Sequence, residues 1–246
     1  MKKILGIARL LGFLGVVFVY LIPITVGVVF FKRDLMWTLR RRQSIARALM
    51  RLLNIKIHKT GNAQDGAFLF VSNHRSYADP AVTACYVAFM PIAKAEVSKW
   101  PLVGFGAKIT GVVYVKREDK NSRADTRTAV RNALRGKKPI LIYPEGTTTD
   151  AAKTGPFRIG TFQIAAEEGI PVVPITIEYG LPTDAWINAD TFIPHFIECF
   201  GKWQTEAFIH FGEPILETDE TLLMEKTQRA IDAQLIDFQL FKVKER

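Results

Sequence analysis

His74 and Asp79 lie five residues apart in the stretch Val71-Ser72-Asn73-His74-Arg75-Ser76-Tyr77-Ala78-Asp79-Pro80. Histidine titrates near neutrality and can take a proton from a hydroxyl, and a carboxylate on its other ring nitrogen fixes the tautomer and stabilises the imidazolium. A base held in this way contributes roughly 10² to 10⁴ in rate. Residues five apart do not share a helix face, so the pair meets only if the chain turns between them. The apolar run Ala67 to Val71 predicts a buried strand, and Ala81 to Phe89 a helix, so the corner between them supplies the turn. Asp79 also has a structural role open to it, as N-cap of that helix ahead of Pro80, and a histidine at a helix start can be structural as well.

A second strand-like run, Pro139 to Tyr143, ends in Pro144-Glu145-Gly146-Thr147. The serine-elbow pattern GxSxG, the zinc pattern HExxH and the phosphate loop GxxxxGK[ST] are all missing from the chain. No metal or cofactor is therefore expected. Cys85 and Cys199, with no CxxC spacing, point to a reducing compartment rather than to a disulfide framework.

Further strands are expected at Pro91–Ala93, Gly111–Val115, Val172–Ile177 and Glu206–Phe211. Helices are expected at Leu102–Lys108, from a capping box at Ser122 to Gly136, at Phe162–Glu168 and at Thr221–Leu240. This alternation implies an α/β domain with a mixed, largely parallel sheet flanked by helices, whose sites lie at strand carboxyl ends. Phe192, Phe196 and Phe200 recur every fourth residue, a ridge better suited to core packing than to a ligand groove. Arg123, Arg127, Arg131 and Arg135 form a stripe that reads as a solvated face, or more sharply as a dock for an acidic carrier.

Leu10 to Phe31 carries no charge and is long enough for the roughly 20 residues that span a bilayer. Arg9 and Lys32-Arg33 bound this segment, and Pro23 either kinks one helix or separates two. Arg33 to Ile55 then reads as a basic amphipathic helix with Arg40, Arg41, Arg42, Arg47 and Arg51, suited to an anionic leaflet. These arginines outnumber Lys2, Lys3 and Arg9 and place the bulk of the chain in the cytoplasm. The division is residues 1–55, membrane segment plus basic helix, and 56–246, catalytic domain. The net charge of +9 is largely accounted for without nucleic acid.

Asn73-His74-Arg75-Ser76-Tyr77-Ala78-Asp79 resembles the NHxxxxD motif of the PlsC-like glycerolipid acyltransferases, the lysophosphatidic acid acyltransferase family. Gly111-Val112-Val113-Tyr114-Val115-Lys116-Arg117 resembles that family's second motif, Tyr143-Pro144-Glu145-Gly146-Thr147 its third, and Val172-Val173-Pro174-Ile175 its fourth. The four stand in the family's order over roughly residues 65 to 215. The resemblance implies the glycerolipid acyltransferase fold and acyl transfer from acyl carrier protein or coenzyme A to a lysolipid hydroxyl, with His74 as base and Asp79 orienting it. It implies 1-acyl-glycerol-3-phosphate as acceptor, with phosphatidic acid as product. Arg117, Glu145, Gly146 and Thr147 would bind the acceptor's phosphate, with Lys116 and Arg158 as further cations. The third motif departs from the family's Glu-Gly-Thr-Arg by having Thr148 where the arginine stands, so Arg158 is the expected substitute. A lyso-aminolipid such as lyso-ornithine lipid is the alternative acceptor, and a non-catalytic lipid-binding protein is the alternative from another class. The expected location is the inner membrane, with the catalytic domain on the cytoplasmic side and anionic lipids beside it.

Overall fold

The computed structural model describes residues 1–94, 112–115, 120–187 and 190–244. Among these residues seven strands form one sheet: β1 (Ile55–Gly61), β2 (Leu69–Ser72), β3 (Met90–Lys94), β4 (Val113–Val115), β5 (Ile140–Ile142), β6 (Val172–Tyr179) and β7 (Thr205–Phe211). Their spatial order is β1-β7-β6-β2-β5-β3-β4. β2 lies parallel to both β5 and β6, β3 continues the parallel set to β4, and β7 is antiparallel to β6 but parallel to β1. The sheet is mixed and largely parallel, in agreement with the alternation of elements. Every residue of β2 and β5 is buried, as befits strands covered on both faces.

The helices are α1 (Lys2–Phe31), α2 (Leu35–Leu53), α3 (Asp79–Ala84), α4 (Lys120–Arg135), α5 (Gly160–Glu167), α6 (Phe192–Phe200) and α7 (Glu220–Lys244). α5 stops at Gly169, which takes a positive φ of 61°. β1 has no counterpart in the sequence expectations. It is an edge strand whose Lys56, His58, Lys59 and Thr60 hide the alternation, and such polar edges limit pairing with other chains. Ser122 lies inside α4 rather than ahead of it. The expected helix Leu102–Lys108 falls outside the described residues.

α1 is one uninterrupted helix through Pro23, about 45 Å long at 1.5 Å per residue. It is long and apolar enough to cross a membrane. Arg9 is more than a flank of the apolar span. It is buried, and its guanidinium donates to the carbonyls of Phe200 (2.8 Å), Lys202 (2.6 Å) and Trp203 (3.0 Å), closing the carboxyl end of α6. Near the other end of α1, Gly27 lies under the Trp37 ring of α2, where a Cβ would come within 2.5 Å. α2 in turn buries Ala46, Leu49, Met50 and Leu53 in the same core as Phe70 and Val173. Two of its arginines face the domain: Arg42 donates to Phe89 O (3.1 Å) and Arg47 to Cys85 O (3.0 Å). Opposite the docked face, Ile4, Ile7, Leu11, Leu14, Phe18, Ile22, Val26 and Val29 are exposed at helical spacing and form a continuous apolar stripe.

Candidate active site

Three parallel strands deliver the site. His74 follows β2, Tyr143 and Glu145 follow β5, and Tyr179 ends β6. Val71 is in register with Ile142 and Pro174, so the three carboxyl ends lie side by side. Asn73 extends this pairing beyond the strand: its side-chain amide donates to Ile177 O and its oxygen accepts from Ile177 N, both at 2.8 Å.

The chain turns between His74 and Asp79 and brings His74 Nδ1 to 2.7 Å from Asp79 Oδ2. A carboxylate accepts only, so Nδ1 carries the proton and the Nε2 lone pair is left to act as a base. The imidazole is one-fifth exposed while Asp79 is fully buried, so of the pair only the imidazole is open to solvent. Tyr143 stacks on the imidazole with centroids 4.1 Å apart and planes 20° apart, setting its tilt. Asp79 does not cap its helix. It is the first residue of α3, behind Ala78, and its Oδ2 accepts the amides of Arg75 (2.7 Å) and Ser76 (2.9 Å) that precede it. The physical reason is that the loop turns back over the carboxylate, and α3 ends at Ala84 instead of running to Phe89.

A family model described as "Acyltransferase" matches residues 54–178, just over half of the chain and the part that contains this site. The chain belongs to the acyltransferase family. A lyso-ornithine lipid O-acyltransferase of Brucella abortus is 28% identical over 204 residues, 75% of this chain and 76% of its own length. A chloroplastic 1-acyl-sn-glycerol-3-phosphate acyltransferase of Brassica napus is 33% identical over 116 residues, 47% of this chain and 34% of its own length. The crystal structure of the 1-acyl-sn-glycerophosphate acyltransferase PlsC from Thermotoga maritima superposes with a TM-score of 0.64 at 20% identity. It covers 94% of this chain and 98% of that one, and so shares the fold.

In this acyltransferase the corner after β5 is latched to the histidine loop. Glu145 Oε1 accepts the His74 amide (3.1 Å) and Oε2 the Gly155 amide (2.8 Å), while Thr149 N donates to His74 O (3.0 Å). Gly146 takes a positive φ of 77°, and the Arg158 guanidinium lies over it so closely that a Cβ there would sit 2.9 Å from Cζ. Its position over Gly146 places Arg158 at the third-motif corner. No side-chain partner holds its guanidinium among the described residues. Thr147 is exposed at the same corner, and Thr148 Oγ1 donates to Trp186 O. Lys116 and Arg117 lie outside the described residues.

Several residues of the acyltransferase site carried no signal in the sequence. Arg75, almost fully buried, donates to Thr149 O (2.7 Å) and pairs with Glu178 (3.0 Å). The Tyr77 hydroxyl donates to His195 Nδ1 (3.1 Å), because His195 Nε2 is engaged in donating to Ala185 O (3.0 Å). Trp186 N donates to Arg75 O (2.8 Å), which draws the loop after β6 against the motif. A rule that searched every strand's carboxyl end would have found Glu178 and Tyr179. The aromatic ridge is core: Phe196 and Phe200 are 1% exposed, with rings 4.8 Å apart. Of the arginine stripe, Arg127 pairs with Gln163, Arg131 with Glu167 and Arg135 with Glu168 on the next helix, and the Arg123 side chain lies outside the described residues.

Proposed function

We propose that this acyltransferase moves a fatty acyl group from an acyl thioester, on acyl carrier protein or coenzyme A, to the free hydroxyl of a lysolipid. The observation that carries this reading is the 2.7 Å bond from His74 Nδ1 to buried Asp79, which leaves Nε2 free at a strand carboxyl end. His74 Nε2 takes the proton of the acceptor hydroxyl as its oxygen bonds to the thioester carbonyl carbon. The C–S bond then breaks, and the departing thiolate takes the proton back from the imidazolium. Asp79 stays ionised and holds the ring. No acyl-enzyme is formed.

The first reading of the acceptor is 1-acyl-glycerol-3-phosphate. Arg158 offers planar, paired donors suited to a phosphate, beside Gly146 and Thr147 and supplemented by Lys116 and Arg117. Each Glu145 oxygen accepts a backbone amide, so Glu145 holds the corner at which the headgroup would bind. Lyso-ornithine lipid, which offers a carboxylate, is the second reading. It is favoured by Thr148 in the place of an arginine, and by the relatives matched over about three quarters of both chains, which are named lyso-ornithine lipid O-acyltransferases.

A lysolipid gains about 0.8 kcal/mol per methylene buried in the bilayer, so the enzyme must come to the membrane. Residues 1–55 serve as the membrane-binding part and 56–246 as the catalytic part. α1 is docked at both ends, on α6 and on α2, so it lies in the interface with its apolar stripe toward the lipid instead of crossing. Lys32, Arg33, Arg40, Arg41 and Arg51 are exposed and favour anionic headgroups, with the catalytic part on the cytoplasmic face of the inner membrane.

An acyltransfer assay in membranes tests the reading, pairing acyl carrier protein and coenzyme A thioesters with lysophosphatidate and lyso-ornithine lipid, and using His74→Ala as blank. Transfer to lysophosphatidate supports the first acceptor, and transfer to lyso-ornithine lipid alone replaces it with the second. Equal transfer by His74→Ala would remove His74 as the base, and no transfer to either acceptor would leave a non-catalytic lipid-binding protein.

A further inference from the structure

We propose that Tyr179 is a positioning residue of the reaction, fixing through Asp79 the imidazole that acts as base; this rests on the reading of His74 and Asp79 given above. The two oxygens of Asp79 are used unequally. Oδ2 accepts three bonds, from His74 Nδ1 and from the amides of Arg75 and Ser76. Oδ1 accepts the Tyr179 hydroxyl at 2.8 Å. The terminal torsion of an aspartate is broad and roughly two-fold, so a carboxylate held through one oxygen has a loosely set plane. The Tyr179 bond fixes that plane, and with it the direction of the Oδ2 lone pair that faces His74.

The phenol is itself held firmly. Tyr179 is the last residue of β6 and 2% exposed. Its amide donates to Glu178 Oε1 (2.8 Å), and its carbonyl accepts Lys242 Nζ (2.8 Å) from α7. Glu178 Oε2 in turn receives Arg75, the residue that follows His74. Phenol and histidine loop are thus tied into one frame from two neighbouring strands. The polar groups facing Asp79 are His74, Arg75, Ser76, Tyr143 and Tyr179. Burial, with Asp79, Cys199 and Tyr143 nearby, pushes the Tyr179 hydroxyl well above its usual range, so it keeps the proton it donates.

The test is a double-mutant cycle of Y179F and D79N, with kcat and KM measured for donor and acceptor and H74A as blank. Y179F, which removes one oxygen and leaves the ring, is expected to lower kcat about tenfold and to leave both KM values within about twofold. In D79N the three donors at the Oδ2 position require the oxygen there, so the amide nitrogen faces the phenol. There the phenol can only accept a neutral amide N–H and no longer orients a charge toward His74, so Y179F should then change kcat less than about twofold. The proton on His74 Nδ1, donated to the buried Asp79 carboxylate, is expected to give a downfield proton resonance that Y179F shifts and a mere packing role leaves in place. Wild-type kcat in a folded Y179F overturns the proposal, as does an equal loss in the presence and absence of Asp79. Where Y179F does not fold, 3-fluorotyrosine at position 179 keeps ring and hydroxyl, and an unmoved resonance there overturns it too. An active H74A enzyme overturns the underlying dyad instead.

Discussion

Glu145 is hydrogen-bonded to the backbone of the histidine it serves: its Oε1 accepts the His74 amide at 3.1 Å, and its Oε2 accepts the Gly155 amide at 2.8 Å. One carboxylate therefore ties the corner after β5 both to the corner after β2 and to the segment that carries Arg158. Glu145→Gln must turn an NH2 toward one of these amides. A lost bond with a donor left unpaired costs about 1 to 3 kcal/mol. Denaturant unfolding should show that loss, and kcat should fall about 10- to 100-fold as the His74 loop loosens.

The same group gives a pH dependence of known sign. Burial pushes the Glu145 carboxyl up from its ordinary value, against the opposing effects of the Gly155 and His74 amides and of Arg75 and His74. The folded protein then holds this proton to higher pH than the unfolded chain does. The stabilisation is fully present below the ordinary glutamate range and is lost as pH rises through the raised folded value. Urea unfolding across that window should show the wild type losing stability relative to Glu145→Gln as pH rises; a rising difference would contradict the assignment.

Asp79→Asn should fold, because an amide oxygen can take the three donors at the Oδ2 position while the Tyr179 hydroxyl turns to accept from the amide nitrogen. It removes the charge that stabilises the imidazolium. A fall in kcat of about 10³ to 10⁴ with little change in thermal midpoint is expected. A variant that keeps wild-type turnover would reduce Asp79 to a loop-shaping role.

Arg158→Ala removes the cation that lies over Gly146, whereas the dyad is untouched. Steady-state kinetics should show KM for the acceptor raised about tenfold or more with kcat little changed. Arg158→Lys should recover only part of this, since a point charge cannot offer paired donors. An effect confined to kcat would exclude Arg158 as a headgroup anchor.

Arg9→Ala unpairs the side-chain-held carbonyls of Phe200 and Lys202 at the end of α6, while Trp203 O keeps the Asn54 amide. A stability loss of about 1 to 3 kcal/mol is expected. Faster proteolysis within residues 32–34 should accompany it as α1 leaves the domain. Unchanged proteolysis would mean that α1 is held by its apolar contacts alone.

The His74 corner was legible because both of its signals are local. An all-apolar strand needs burial on two sides, and a histidine and an aspartate across a single turn are close whatever the remainder of the chain does. The third-motif corner was legible for the same reason, with Gly146 marking the positive φ. Arg9 was legible only in part, for the opposite reason. Its partners lie more than 190 residues away, so by itself it reads as the flank of an apolar segment.

By itself, then, the sequence determined the apolar amino-terminal helix, the alternation that yields a largely parallel sheet, and the pairing of His74 with Asp79, because periodicity and short spacings are properties of neighbouring residues. Only the tertiary structure decided that Asp79 receives donors from the loop before it and from β6, that Glu145 braces His74, and that α1 is docked at both ends. Each of these depends on hydrogen-bond partners supplied by sequence-distant elements, and strand order and register alone bring those elements together.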